Sequence, residues 1–186
     1  MSAASATIAA QICSDAELGD AARALLRENQ QPREFMQALR EKGHLQDAVR
    51  FLAFALPKRE AVWWAWVCAR RAAGSEPVPN VQAVLAATER WIAQPTEEHR
   101  RAVMPAAEAA GVGTPAGCAG IAAFFSGGSM GPPGTPVVPP GPLLTAKSVA
   151  ASIILAAVAT EPDKADEKFT AFLDQGIDVV NRIKLW

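Results

Sequence analysis

Lys58-Arg59-Glu60-Ala61-Val62-Trp63-Trp64-Ala65-Trp66-Val67-Cys68-Ala69-Arg70-Arg71 carries no charge between residues 61 and 69. Apolar side chains at every helical angle leave no face for water, so this segment reads as a helix buried all round. Pro57 suits the first turn of that helix, where a missing N–H costs nothing. Arg70 and Arg71 sit at its C-terminal end, where the helix dipole favours cations, and Gly74 and Pro77 stop it. A fully buried helix is central, and the remaining sequence supplies helices to surround it.

Upstream, Leu45, Val49, Leu52 and Leu56 lie on one stripe of a helix over about 44–56. Phe35, Met36 and Leu39 mark a shorter helix from Pro32 to Gly43. Ser14-Asp15-Ala16-Glu17 has the form of a capping box opening a helix with Leu18, Ala21, Ala22, Leu25 and Leu26. Residues 1–13 read as a flexible tail ahead of one helical domain, 14–186. Downstream, Asn80 is read as the cap of a helix with Val81, Val84, Leu85, Thr88, Trp91 and Ile92. Thr96 caps the next, which Pro105 is expected to kink or end. A short Ala-rich helix covers about 116–125. Thr145 opens another through Thr160, and Pro162 opens the last, with Phe169, Phe172, Leu173, Ile177, Val180 and Ile183 on its stripe. Strand-like alternation is absent. The expectation is an all-α fold of eight or nine helices packed as antiparallel hairpins, as a bundle or a short solenoid.

The 186 residues include 39 alanines, five tryptophans, seven phenylalanines and no tyrosine. A net charge of -1 without a long basic run argues against non-specific nucleic-acid binding. The most apolar stretch, 149–159, is shorter than the about 20 residues a membrane helix needs, so no membrane insertion is expected. Met1 to Ile8 has no basic n-region or apolar h-region. Cys13, Cys68 and Cys118 form no CxxC pair, which fits a reducing, cytoplasmic setting without a disulfide framework.

Residues 102–160 carry only Glu108 and Lys147, where average composition predicts about fifteen charges. Such a segment is either buried centrally or covered by something else. Inside it, residues 126–142 hold five glycines and six prolines, which forbids a helix or central strand. Two readings compete for this loop. One is a rigid crossover strap whose prolines lower the entropy cost of order. The other is a docking segment, because Pro132-Pro133 and Pro136-Val137-Val138-Pro139-Pro140 favour polyproline II, a conformation recognised by aromatic-lined grooves.

Candidates for chemistry are sparse. His44 and His99 each sit at a helix start and no metal-ligand grouping surrounds them, so no metal site is expected. Cys68 lies among tryptophans with no base in sight, and Cys118 between small residues has no evident activator. Gly111-Val112-Gly113 lacks the third glycine of a dinucleotide fingerprint. Ser126-Gly127-Gly128-Ser129 lacks the Lys-Ser/Thr of a phosphate loop. No cofactor and no catalytic residue is expected. Glu97 and Glu98 read as a solvated first turn. Among the tryptophans, core packing is the default, with one of them as a partner anchor the alternative.

Two stretches, Phe51-Leu52-Ala53-Phe54-Ala55-Leu56-Pro57-Lys58-Arg59-Glu60-Ala61-Val62-Trp63-Trp64 running on to Cys68-Ala69-Arg70, and Phe124-Phe125-Ser126-Gly127-Gly128-Ser129-Met130 with Pro132-Pro133-Gly134 and Leu143-Leu144-Thr145-Ala146, carry a resemblance. In this order they resemble a small family of uncharacterised bacterial proteins associated with type VI secretion gene clusters. The resemblance implies a cytoplasmic accessory of secretion, an adaptor or chaperone for an effector or spike component, and transfers no catalytic residue. The charge gap, the strap and the missing catalytic constellation together predict a non-enzymatic adaptor. Its partner protein would be held by Phe124, Phe125, Met130, Pro132, Pro133, Val137 and Val138. An immunity or regulatory protein that inhibits a toxin or enzyme is the alternative, and an enzyme with a site near Cys68 or Cys118 a third.

Overall fold

The computed structural model describes residues 3–186, with side chains from Ala9 onward. Among the described residues ten α-helices succeed one another: α1 Ala3–Asp15, α2 Asp20–Arg23, α3 Pro32–Glu41, α4 Leu45–Ala55, α5 Lys58–Ala73, α6 Pro79–Ala93, α7 Glu97–Ala110, α8 Pro115–Phe124, α9 Leu144–Val158 and α10 Ala165–Ile183. A 3-10 turn, Pro162–Lys164, precedes the last. No strand occurs among the described residues, and the fold is all-α.

The tryptophan-rich helix α5 is central, as its sequence requires. Ala61, Val62, Trp64, Ala65, Trp66, Cys68 and Ala69 are all buried. The indole N–H groups are satisfied in different directions. Trp64 Nε1 donates to Phe172 O of α10 at 2.7 Å, and Trp66 Nε1 to Leu85 O of α6 at 2.9 Å. Those bonds let two large polar-tipped rings be buried without an orphan donor. Trp63 is half-buried beneath the Arg182 guanidinium, and Trp91 belongs to the core.

The charge gap is resolved by position. Helices α8 and α9 pack on each other and both pack on α5, while α6 and α7 close over α8. Eight residues of α8 are buried, from Ala116 to Phe124, so the helix has no room for charge. Close approach is part of the design: a Cβ on Gly120 would lie 2.7 Å from Val84 Cγ2 and 3.0 Å from Val103 Cγ1. A solenoid would join only neighbouring units. Here α5 touches α8 and α9, and α4 touches α9 and α10, so the helices close around a shared core. The stretch expected to be the most apolar, 149–159, lies mostly in α9 with Val149, Ser152, Ile153 and Ala156 buried. Among the described residues no single helix is long and apolar enough to cross a membrane.

Several local expectations are corrected. The tail expected over 1–13 is helical from Ala3, with Ala9 and Cys13 buried, while Met1 and Ser2 lie outside the described residues. Ser14 therefore falls in the last turn of α1 and opens nothing. Glu17 adopts φ 51° and Leu18 N–H returns to Cys13 O, a Schellman ending sealed by the buried Leu18. The helix expected beyond shrinks to the four residues of α2. Asn80 is not a cap: Val78 precedes Pro79 at the first position of α6, and Asn80 Nδ2 donates to Ala109 O at 2.9 Å. Pro105 does not end α7, which runs on to Ala110 because Val103 and Ala107 are buried on either side of it.

A candidate protein-docking strap

Helix α8 ends by spilling its last carbonyls, which have no helical donor, toward three other helices. Arg100 Nη1 of α7 donates to Phe124 O, Thr145 Oγ1 of α9 to Phe125 O at 2.9 Å, and Lys58 Nζ of α5 to Ser126 O at 3.0 Å. Two of the three donors are cations, and they face the negative end of the α8 dipole. The strap, residues 126–142, therefore leaves the core from a fixed point.

A clamp built on the first turns of α7 holds the next residues of the strap. Thr96 caps α7, its Oγ1 accepting from His99 N–H at 3.2 Å. Glu97, Arg100 and Arg101 then project together. Arg100 Nε donates to Glu97 Oε2 at 2.6 Å and Arg100 Nη2 to Ser129 O at 2.8 Å. Arg101 Nε donates to Glu97 Oε1 at 2.7 Å, and Arg101 Nη1 to Gly131 O at 2.9 Å. Arg100 is buried, with the Phe124 ring 4.6 Å from its guanidinium carbon. A buried guanidinium is tolerated only when paired and hydrogen-bonded, and here one carboxylate and two carbonyls do both. Hydrogen bonding from Arg100, reinforced by Arg101, holds the Glu97 carboxyl down to about 2. Glu97 is thus the counter-ion of the clamp and not merely a solvated first-turn residue.

Beyond the clamp the strap folds on itself. Met130 N–H donates to Val138 O at 2.8 Å. Ser129 Oγ accepts from Gly131 N–H at 3.1 Å and Val138 N–H at 3.0 Å, and Thr135 Oγ1 donates to Pro132 O at 2.7 Å. The two sequence readings of this loop are therefore not exclusive: it is a fastened strap, and it also carries apolar groups outward. Met130, Pro132, Pro133 and Val138 are exposed, and Val137 is 74% exposed.

The two phenylalanines correct the expected contact set. Phe124 is 7% exposed and lies under Arg100, while Phe125 is half-buried against it with ring centroids 5.7 Å apart. Both are roots of the strap, and the buried Phe124 offers little surface to a partner. Sequence reasoning missed Arg100 and Arg101. The signal was present as Glu97 succeeded at three and four residues by two arginines, just after a Thr cap, but nothing local says that the far side of the pair is a loop thirty residues on.

The remaining candidates carry little reactive chemistry. All three cysteines are free and buried. Burial pushes the Cys68 thiol well up, Arg71 opposing only in part, and pushes Cys118 up as well. Cys118 Sγ donates to Val112 O at 3.2 Å. Among the described residues no three His, Cys, Asp or Glu side chains converge as metal ligands would. A concavity of about 650 Å³ lies between α3 and α10. Met36, Leu45, Ile177 and Trp186 line it, and Arg33–Asn181 and Arg40–Asp174 bridge its walls.

A family model described as a family of unknown function (DUF6931) matches residues 35–180, which include the whole clamp and strap. No curated protein and no solved structure matches the chain.

Proposed function

We propose, from the premise that the chain belongs to that family of unknown function, that it is a non-enzymatic helical adaptor presenting the strap to a partner protein. One observation carries this reading. An uncharged loop with two exposed valines and an exposed methionine is fastened outward by a buried arginine, a second arginine and their shared carboxylate. Fixing the loop in advance removes ordering entropy from a later binding step. The secretion setting, with a cytoplasmic location and an effector or spike component as partner, is supported by the sequence resemblance.

The test is capture of the tagged full chain from its native cells. Two variants run beside it: one lacking Ser129–Pro140, and one carrying Val137→Asp with Val138→Asp, which alters only exposed side chains. Circular dichroism establishes that both remain helical. A stoichiometric partner lost from both variants is the expected result. A partner retained by both, or no partner in any sample, overturns the reading.

A further inference from the structure

The strap is unusual in what it lacks. Four residues of the tip, Pro132, Pro133, Pro136 and Pro139, have no backbone N–H. Met130, Gly131, Thr135 and Val138 spend theirs inside the strap. Among the described residues, only Gly134 and Val137 of the tip keep a main-chain donor without an internal acceptor. The acceptor side is the reverse: among the described residues nothing donates to the carbonyls from Pro133 to Val137. The tip is therefore apolar surface interleaved with free acceptors, uncharged throughout.

That inventory selects a mode of recognition. Strand addition needs alternating main-chain donors and acceptors along one edge, and this edge has almost no donors. Recognition by an aromatic-lined groove needs ring and aliphatic surface with free carbonyls, and it is met by aromatic side chains whose polar tips donate. We infer that the tip, Met130–Pro139, is read by a partner protein through an aromatic-lined groove whose indole N–H or phenol O–H groups donate to the strap carbonyls. This rests on the adaptor reading and adds the chemistry of the partner. The groove does not have to order the strap, because Arg100 and Arg101 already fix its base.

The probe for the test is indole, titrated into the intact, isotopically labelled chain and followed by NMR at the Met130, Val137 and Val138 methyl groups. N-methylindole, which keeps the ring and loses the donor, is the comparison. The expected result is saturable indole shifts centred on those methyls, with N-methylindole about two- to tenfold weaker, the loss that one hydrogen bond represents. Shifts centred on the Trp186 concavity, no shifts, or equal or tighter binding of N-methylindole overturn the inference. A second measurement uses the partner captured with the tagged chain. Replacing the tryptophans or tyrosines that line its binding face by phenylalanine keeps the ring and loses the donor, so a groove-type partner loses affinity, and unchanged affinity overturns the inference. If capture succeeds and indole fails, the recognition chemistry is wrong and the adaptor stands. If indole binds and capture fails, the adaptor reading falls on its own.

Discussion

Arg100 fills the space that a side chain on Gly128 would need at the base of the strap. A Cβ on Gly128 would lie 2.8 Å from both Arg100 Nε and Nη2 and 2.6 Å from Glu97 Oε2. The backbone there also holds φ 65°, a region L side chains rarely adopt. The clamp can close on the strap only because this position has no side chain.

Gly128→Ala should therefore open the clamp. Backbone strain and overlap together are expected to cost about 1–3 kcal/mol. Native-state proteolysis should then cut within 129–139 faster than in the unaltered chain, while urea unfolding still gives one transition. Equal cleavage rates would show that the strap does not depend on the clamp.

The two arginines should behave differently. Arg100→Ala strands Phe124 O, leaves Glu97 and Ser129 O to Arg101 alone and opens a cavity beside Phe124, with an expected loss of about 2–4 kcal/mol in urea melts. Arg101 is more exposed and shares its acceptors, so Arg101→Ala should cost no more than about 1 kcal/mol while increasing amide exchange in residues 129–131.

Acid should weaken the clamp in a defined window. Glu97 ordinarily titrates near 4.5 and is held at about 2 when folded. A depressed carboxyl contributes stability that is complete above its unfolded value and is lost as pH falls through the folded one. Stability should therefore decline between about pH 4.5 and 2, and Glu97→Gln should flatten that part of the profile. Denaturant melts at half-unit pH intervals measure it. An unchanged slope in the variant would show that Glu97 has no part in the acid response.

Thiol chemistry gives an independent check on the helical core. Desolvation pushes Cys13 up to about 11 and raises Cys68 and Cys118 as well. A chromogenic disulfide reagent should label all three cysteines at once in denaturant and each only slowly in buffer at about pH 8. Rapid labelling of Cys118 in the folded chain would place a reactive thiol where the structure has a buried one.

Much of this architecture is written locally, and its failures have physical causes. Helix α5 was legible because nine uncharged residues admit one burial pattern, and Thr96 was legible because a hydroxyl one residue ahead of two glutamates is a strong cap signal. Ser14 misled because a capping-box pattern is four residues long, and the alanine-rich helix before it shows no stripe to declare itself. Pro105 misled because burial of Val103 and Ala107 outweighs one missing hydrogen bond. Phe124 misled because an aromatic beside a Gly/Pro loop looks exposed until a buried arginine from another helix is laid over it. Composition leaves open whether Val137 and Val138 pack on the helices or face solvent, and the structure exposes both. Their fastening depends on residues separated by about thirty positions and was not legible.

The donor-poor tip has a consequence for the solubility of the chain. Exposed runs of valine are common seeds of fibrils, because one copy's main chain templates the next. Here the prolines and the Ser129 Oγ contacts withdraw the N–H groups that such stacking requires. The tip thus displays its valines while offering a neighbouring copy almost no main-chain donors on which to stack.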